Sequence, residues 1–436
     1  MVPRLLLSSV VMLWAVSLGL VSARSSRDNS SSPAPVPAPA VRVAPSQTTA
    51  SEDCLVCHED TDLKAEADGR SVTVDPSRYT ASVHGALEMA CTACHTDLEG
   101  VEMPHEAKLK KVDCSSCHED QVHAFDAGIH ASARRKDTGS VAATCVDCHG
   151  THDMRAKTDP AATTYPLNLP TTCAKCHGNP EIIAKGHIAA GNVAAQFVDS
   201  IHGRALSKSG LLVSANCTSC HGAHDIRQKS DPQSTVFRTN IPATCATCHE
   251  GIQAMFDRGS HGKALADGNT KGPVCIDCHS AHQIQRADVA SWRLDTVNEC
   301  GTCHADKIKT YRDTFHGQVT SLGFVRVAKC ADCHGAHEVH PKSDPRSMVA
   351  PDKVVETCRT CHADATAAFA EYDPHADRDD YHRNPELYVA SRFMHWLLIG
   401  VFGFFGLHAL LWLPRSAAER RRQHTAPPPE SEGPEA

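Results

Sequence analysis

The pentapeptide Cys-x-x-Cys-His occurs eleven times in this chain and consumes all 22 cysteines. The copies begin at Cys54, Cys91, Cys114, Cys145, Cys173, Cys217, Cys245, Cys275, Cys300, Cys330 and Cys358. Their second cysteines are Cys57, Cys94, Cys117, Cys148, Cys176, Cys220, Cys248, Cys278, Cys303, Cys333 and Cys361. The motif is that of covalent c-type haem attachment, with two thioether bonds and a proximal histidine under the iron. Those histidines are His58, His95, His118, His149, His177, His221, His249, His279, His304, His334 and His362. A disulfide framework does not require histidine after every second cysteine. Structural zinc needs paired half-sites and no such fifth residue. Eleven copies without a spare cysteine therefore predict a multihaem protein.

The motifs recur about every 28 residues between Cys54 and His362, too little polypeptide for a separate hydrophobic core around each haem. Aromatic residues make up only 5% of the chain, against 26 Gly and 25 Pro. The expected fold is a multihaem cytochrome: mainly short α-helices and irregular loops wrapped around a haem chain, plus one C-terminal transmembrane helix. Haem binding then supplies much of the folding free energy, as metal does for zinc fingers.

Arg4, the apolar run 5–21 and the small residues Val21-Ser22-Ala23 have the layout of a secretory signal peptide over residues 1–23. Residues 24–50, rich in Ser, Pro and Ala, read as a linker. The haem region is assigned to 51–380 and placed in the bacterial periplasm, where c-type haem is attached. Residues 393–413 carry no Asp, Glu, Lys or Arg and reach about 30 Å as a helix, enough to cross a bilayer. Trp396 and Trp412 stand near its ends. The span is assigned to 391–414 and a cytoplasmic tail, with Arg415, Arg420, Arg421 and Arg422, to 415–436. The expected location is the inner membrane. A formal net charge of −8 and no basic stripe exclude a nucleic-acid partner.

The chain repeats internally, two motifs per repeat. One copy runs Cys217 to His249 through His-Gly-Ala-His224 and Lys229-Ser-Asp-Pro; another runs Cys145 to His177 through His-Gly-Thr-His152 and Lys157-Thr-Asp-Pro. Cys330–His362 and, more loosely, Cys275–His304 repeat the pattern, and Cys91–His118 is the most divergent. Five pairs thus follow a solitary site at Cys54. A second element precedes each pair and supplies His84, His130, His202, His261 and His316, with His375 in the corresponding place after the last pair. His105, His152, His224, His282 and His337 follow the first motif of each pair. These histidines provide one candidate sixth ligand for each iron. Methionine cannot serve generally, because residues 51–380 hold only Met89, Met103, Met154, Met255 and Met348. Bis-histidine ligation is expected throughout, which closes the iron to outside ligands. His152 lies only three residues past His149 and is expected to reach a neighbouring haem. His123, His187, His340 and His382 are unassigned.

Over residues 51–380 the chain resembles the doubled Cys-x-x-Cys-His cytochromes of the cytochrome c3-like and multihaem electron-transfer families. That resemblance implies closely packed haems that pass electrons by tunnelling. Arg392-Phe-Met-His395-Trp396, opening the membrane helix, resembles the first helix of membrane cytochrome b subunits. It implies haem b shared with a partner subunit through His395 or His408, although these two lie about 140° apart around a helix. Gly400, Gly403 and Gly406 form a strip suited to a partner helix.

The expected function is an electron conduit, not an enzyme. It would join a membrane quinone or cytochrome b partner to periplasmic or outer-membrane cytochromes or reductases in anaerobic respiration. The alternative is a multihaem oxidoreductase for nitrite, hydroxylamine or a sulfur oxyanion, which needs one open iron. The divergent first pair, with His105, is where an open iron would lie.

Overall fold

A computed structural model describes residues 48–66, 68–106, 108–137, 141–188 and 191–425. The signal-peptide reading and most of the linker fall outside these residues. The first helix, Thr48–His58, starts inside the stretch assigned as linker and ends on the first attachment motif. Among the described residues the chain is helical, and its one β feature is an isolated bridge between Lys64 and Ser71.

In four of the five pairs the two motifs fold differently, whereas the first pair opens both on 3-10 turns, Cys91–Ala93 and Cys114–Ser116. In those four the first motif forms a one-turn helix of its own: Cys145–His149, Cys217–His221, Cys275–His279 and Cys330–His334. In each, the residue before the second cysteine is Asp or Ser and caps the turn. Asp147, Asp277 and Asp332 accept the N–H of Thr144, Val274 and Lys329 at 2.7, 2.7 and 2.8 Å. Ser219 accepts that of Asn216 at 3.1 Å. In three pairs the second motif lies within or at the end of a longer helix, Leu169–His177, Ala290–Cys303 and Ile241–Arg258, and in the last pair it starts in the short helix Val354–Arg359 and runs beyond it. Pro170 and Pro242 open two of these helices, where a missing N–H costs nothing. The Pro242 helix kinks at His249, the ligand-bearing end of its motif.

A glycine follows the motif in three repeats because the backbone there turns left-handed: φ is 82° at Gly150, 79° at Gly222 and 81° at Gly335. The glycine of the His-Gly element has another cause. A Cβ on Gly85, Gly203, Gly262 or Gly317 would overlap the carbonyl of Tyr79, Phe197, Phe256 or Tyr311 in the preceding helix.

Very little apolar protein is buried. Among the described residues, five of the ten buried hydrophobic residues are alanines, and Leu206 is the largest side chain that is almost wholly enclosed. The chain therefore supplies no conventional core, as expected where haem is the large apolar object. Successive repeats are instead joined by single backbone hydrogen bonds. Val83 donates to Met154 at 2.8 Å, and Ile129, Ile201 and Ser260 donate to Ile226, Ile284 and Val339 at 2.7 Å. Every donor directly precedes a His-Gly-type histidine, and every acceptor lies two residues past the other type.

Pro385–Thr425 is one 41-residue helix, longer in both directions than the assigned span. It is apolar enough to cross a membrane, and none of its most apolar stretch is buried against the rest of the chain. Among the described residues, and leaving aside the helix's own backbone, nothing lies within 4 Å of a Cβ built on Gly400, Gly403 or Gly406.

Candidate haem sites

The motif histidines and the additional histidines meet in eleven pairs. Five motif histidines face a histidine from upstream: His118 faces His84, His177 faces His130, His249 faces His202, His304 faces His261 and His362 faces His316. Their ring centroids are 6.1, 6.3, 6.2, 6.4 and 6.1 Å apart. The other six face a histidine from downstream. His58, His95, His149, His221, His279 and His334 stand opposite His105, His152, His224, His282, His337 and His375, at 6.0, 6.2, 6.1, 6.0, 6.0 and 6.2 Å. His152 thus lies across from His95 and not from its neighbour His149. By position His375 goes with His105 and His337, whereas its sequence context grouped it with the His-Gly histidines.

This spacing fits an iron between each pair. A metal–imidazole bond is about 2 Å, so two rings held by one ion have centroids about 6 Å apart. A direct ring stack would bring them closer. At the sites where the second ring nitrogen is hydrogen-bonded, that bond leaves Nε2 for the metal. His58 Nδ1 meets the Val72 carbonyl at 2.8 Å, His105 Nδ1 that of Glu106 at 2.8 Å, and His375 Nδ1 the Thr310 hydroxyl at 3.2 Å. Burial, and then the facing histidine, hold His130, His221 and His334 below the ordinary imidazole range. The neutral ring is the form that binds a metal. Among the described residues, no three His, Cys, Asp or Glu side chains converge as a metal cluster.

The cysteines place these sites in order along the chain. Thiols of consecutive motifs hydrogen-bond as Cys54–Cys91, Cys114–Cys145, Cys173–Cys217, Cys245–Cys275 and Cys300–Cys330. Within the pairs, Cys94 neighbours Cys117, Cys148 neighbours Cys176, Cys220 neighbours Cys245, Cys278 neighbours Cys300 and Cys333 neighbours Cys358. Each site therefore lies beside the next, in chain order from the first to the last. Burial pushes the Cys278 thiol up to about 11. In the haem-loaded protein these sulfurs are thioethers and carry no proton.

Sequence reasoning missed the aromatic residues that hold the proximal rings. Trp292 stacks on His279 at 5.2 Å with planes 12° apart, and Phe369 lies 5.0 Å from His362. Trp292 is the one Trp between Cys54 and His362, which was the available signal. His340 takes the place held by Arg155 and Arg227 in other repeats. It is buried, 3.1 Å from Glu338 and 3.5 Å from Asp344, as Arg155 and Arg227 pair with Asp159 and Asp231. Neither helix histidine faces a second histidine among the described residues. His395 bonds the Ser391 carbonyl at 2.7 Å, and His408 stacks on Phe404.

Cysteine pairs for covalent haem c, closed by facing histidines and ordered in one continuous series, define the class. The chain is a multihaem c-type cytochrome and transfers electrons. A family profile described as the doubled CXXCH motif matches residues 211–254. The chain is similar to cytochrome c-type protein NrfB of Escherichia coli O6:H1, 26% identical over 147 residues, which are 31% of this chain and 72% of that protein. No solved structure matches.

Proposed function

We propose that the protein is a membrane-anchored undecahaem conduit with its haem region in the periplasm. It carries electrons between a quinone or cytochrome b partner at the membrane and cytochromes or reductases of the periplasm or outer membrane. The observation that carries this reading is the set of eleven facing histidine pairs, one for each attachment motif. Two imidazoles on every iron leave no position for a substrate, so the chain needs only to space the haems and tune their potentials.

Haem makes the redox change between ferric and ferrous iron. The cysteines would hold its edge and the paired histidines its iron, and the close succession of sites would provide the path. The divergent first pair offers no open position, because His95 faces His152 and His118 faces His84, while its His105 faces His58 of the solitary site. That geometry weighs against the oxidoreductase alternative. The helix Pro385–Thr425 supports the anchor, and its open glycine strip supports a partner helix, with haem b ligation by His395 or His408 belonging to that assembly.

The test is the spectrum of the purified, detergent-solubilised protein. Haem and iron assays should give eleven per chain. EPR should show only low-spin ferric signals, and carbon monoxide should leave the dithionite-reduced spectrum unchanged. A high-spin fraction near one haem in eleven that binds carbon monoxide would return the protein to the enzymes.

A further inference from the structure

Trp292 lies on the face of His279, with ring centroids 5.2 Å apart and planes 12° apart. We propose that this indole is a positioning residue that fixes the orientation of the His279 ring on its iron and lowers the potential of that one haem. The proposal rests on the bis-histidine conduit reading and assigns the conduit a tuned step.

One helix builds the stack. Trp292 stands in the first turn of Ala290–Cys303, and the far end of that helix carries Cys300 and Cys303 of the next site. Trp292 and Cys300 are thus about 12 Å apart along the axis. The indole ties the ligand of one haem to the attachment helix of the next. Tyr165 and Phe237 hold the corresponding place in two other repeats, eight residues before the second motif. They precede their helices, Leu169–His177 and Ile241–Arg258, and among the described residues neither stacks on a motif histidine. The difference lies in the turn. Those repeats carry Lys157-Thr-Asp-Pro and Lys229-Ser-Asp-Pro, whereas this one reads Arg286-Ala-Asp288-Val and enters its helix earlier.

Two physical effects follow. A ligand imidazole keeps one free rotation, about its bond to the metal, and a flat indole against its face admits only orientations near its own plane. His337 completes the site with its ring 15° from that of His279, so the two ligand planes are held nearly parallel. The second effect is electrostatic. An imidazole on ferric iron is more positive than one on ferrous iron, and the face of an indole is negative. Attraction is stronger in the oxidised state, which lowers the potential. Phe369 beside His362 is tilted by 47°, and among the described residues no other motif histidine carries a parallel Phe, Tyr or Trp ring. The step therefore falls at the eighth site, with seven sites before it and three after.

The experiment compares full-length, haem-loaded Trp292→Phe and Trp292→Leu with the unaltered protein, by EPR and by potentiometric titration followed in the visible spectrum. In Trp292→Leu about one-eleventh of the low-spin intensity should leave the rhombic class, broaden and move to larger g. One haem should then reduce at higher potential. Trp292→Phe, which keeps an aromatic face, should retain the rhombic signal and shift the potential less. No shift in either variant would overturn the proposal. Equal shifts in both would overturn it as well, since packing alone would then be acting.

A ring-fluorinated tryptophan keeps the shape of the side chain and draws charge from its face. The other three Trp, at 14, 396 and 412, lie outside the haem region. Protein carrying it should load eleven haems and again show one haem reduced at higher potential. An unmoved titration there would overturn the electrostatic effect even where Trp292→Leu fails to take up its haem. All these outcomes leave the conduit reading standing, and carbon monoxide binding to the unaltered reduced protein is the result that strikes it.

Discussion

His224 faces His149 across 6.1 Å, although the two belong to different repeats. Two residues on, Ile226 accepts the N–H of Ile129, whose neighbour His130 faces His177. One backbone hydrogen bond thus sets two histidine pairs. Each repeat keeps one histidine for the second site of its own pair and presents another to the first site of the pair before it, so no repeat is complete alone. This is nearest-neighbour coupling of the kind that stabilises repeat proteins.

Removing one downstream histidine should open one iron and leave the rest closed. In His224→Ala, about one haem in eleven should turn high-spin and bind carbon monoxide, and the same should hold for His105→Ala. Carbon monoxide titration of the reduced protein counts the open sites. His123→Ala, at a histidine that faces no motif, should leave the titration at zero.

The angles between facing rings should sort the haems by EPR. Planes 5° and 8° apart at His58–His105 and His221–His282 split the iron d orbitals and give rhombic low-spin signals. Planes 64° and 61° apart at His84–His118 and His130–His177 leave those orbitals nearly degenerate and give a large maximum g value. Both classes should appear in the oxidised protein. Replacing His84 should remove intensity only from the second class.

The cofactor, the helical class and the identity of the facing histidines were legible because they rest on fixed spacing and on counting. The partner of each histidine was not legible. His152 is close to His149 in sequence, and only the tertiary fold turns it towards His95. Position along the chain misgrouped His375 for the same reason, since its partner His334 is set by contacts with Thr310.

Ser280 holds φ 61° and ψ 177°, a region that the glycines Gly150, Gly222 and Gly335 occupy in the other repeats. A side chain there costs roughly 1–3 kcal/mol. Ser280→Gly should therefore stabilise the protein by about 1 kcal/mol, less than the full strain because glycine also frees the unfolded chain. Gly222→Ser should destabilise by about 1–3 kcal/mol. Thermal melts followed in the haem Soret band measure both.

The repeated Ser/Thr-Asp-Pro turn should make stability fall in acid. Asp231 accepts the Gln233 N–H at 2.9 Å and binds Arg227 at 3.0 Å, and these contacts hold its carboxyl below the ordinary 3.8. Asp159 is lowered in the same way by the Ala161 N–H and Arg155, and Asp344 by Arg346. A carboxyl depressed in the folded state stabilises fully above its unfolded value. That stabilisation is lost as pH falls through the lower folded value. Melting temperature should thus be level from pH 7 to 5 and drop from pH 4 to 2. Asp231→Asn should lower it at pH 7 and narrow the gap between pH 5 and pH 3. An unchanged gap would place the acid-sensitive groups elsewhere in the chain.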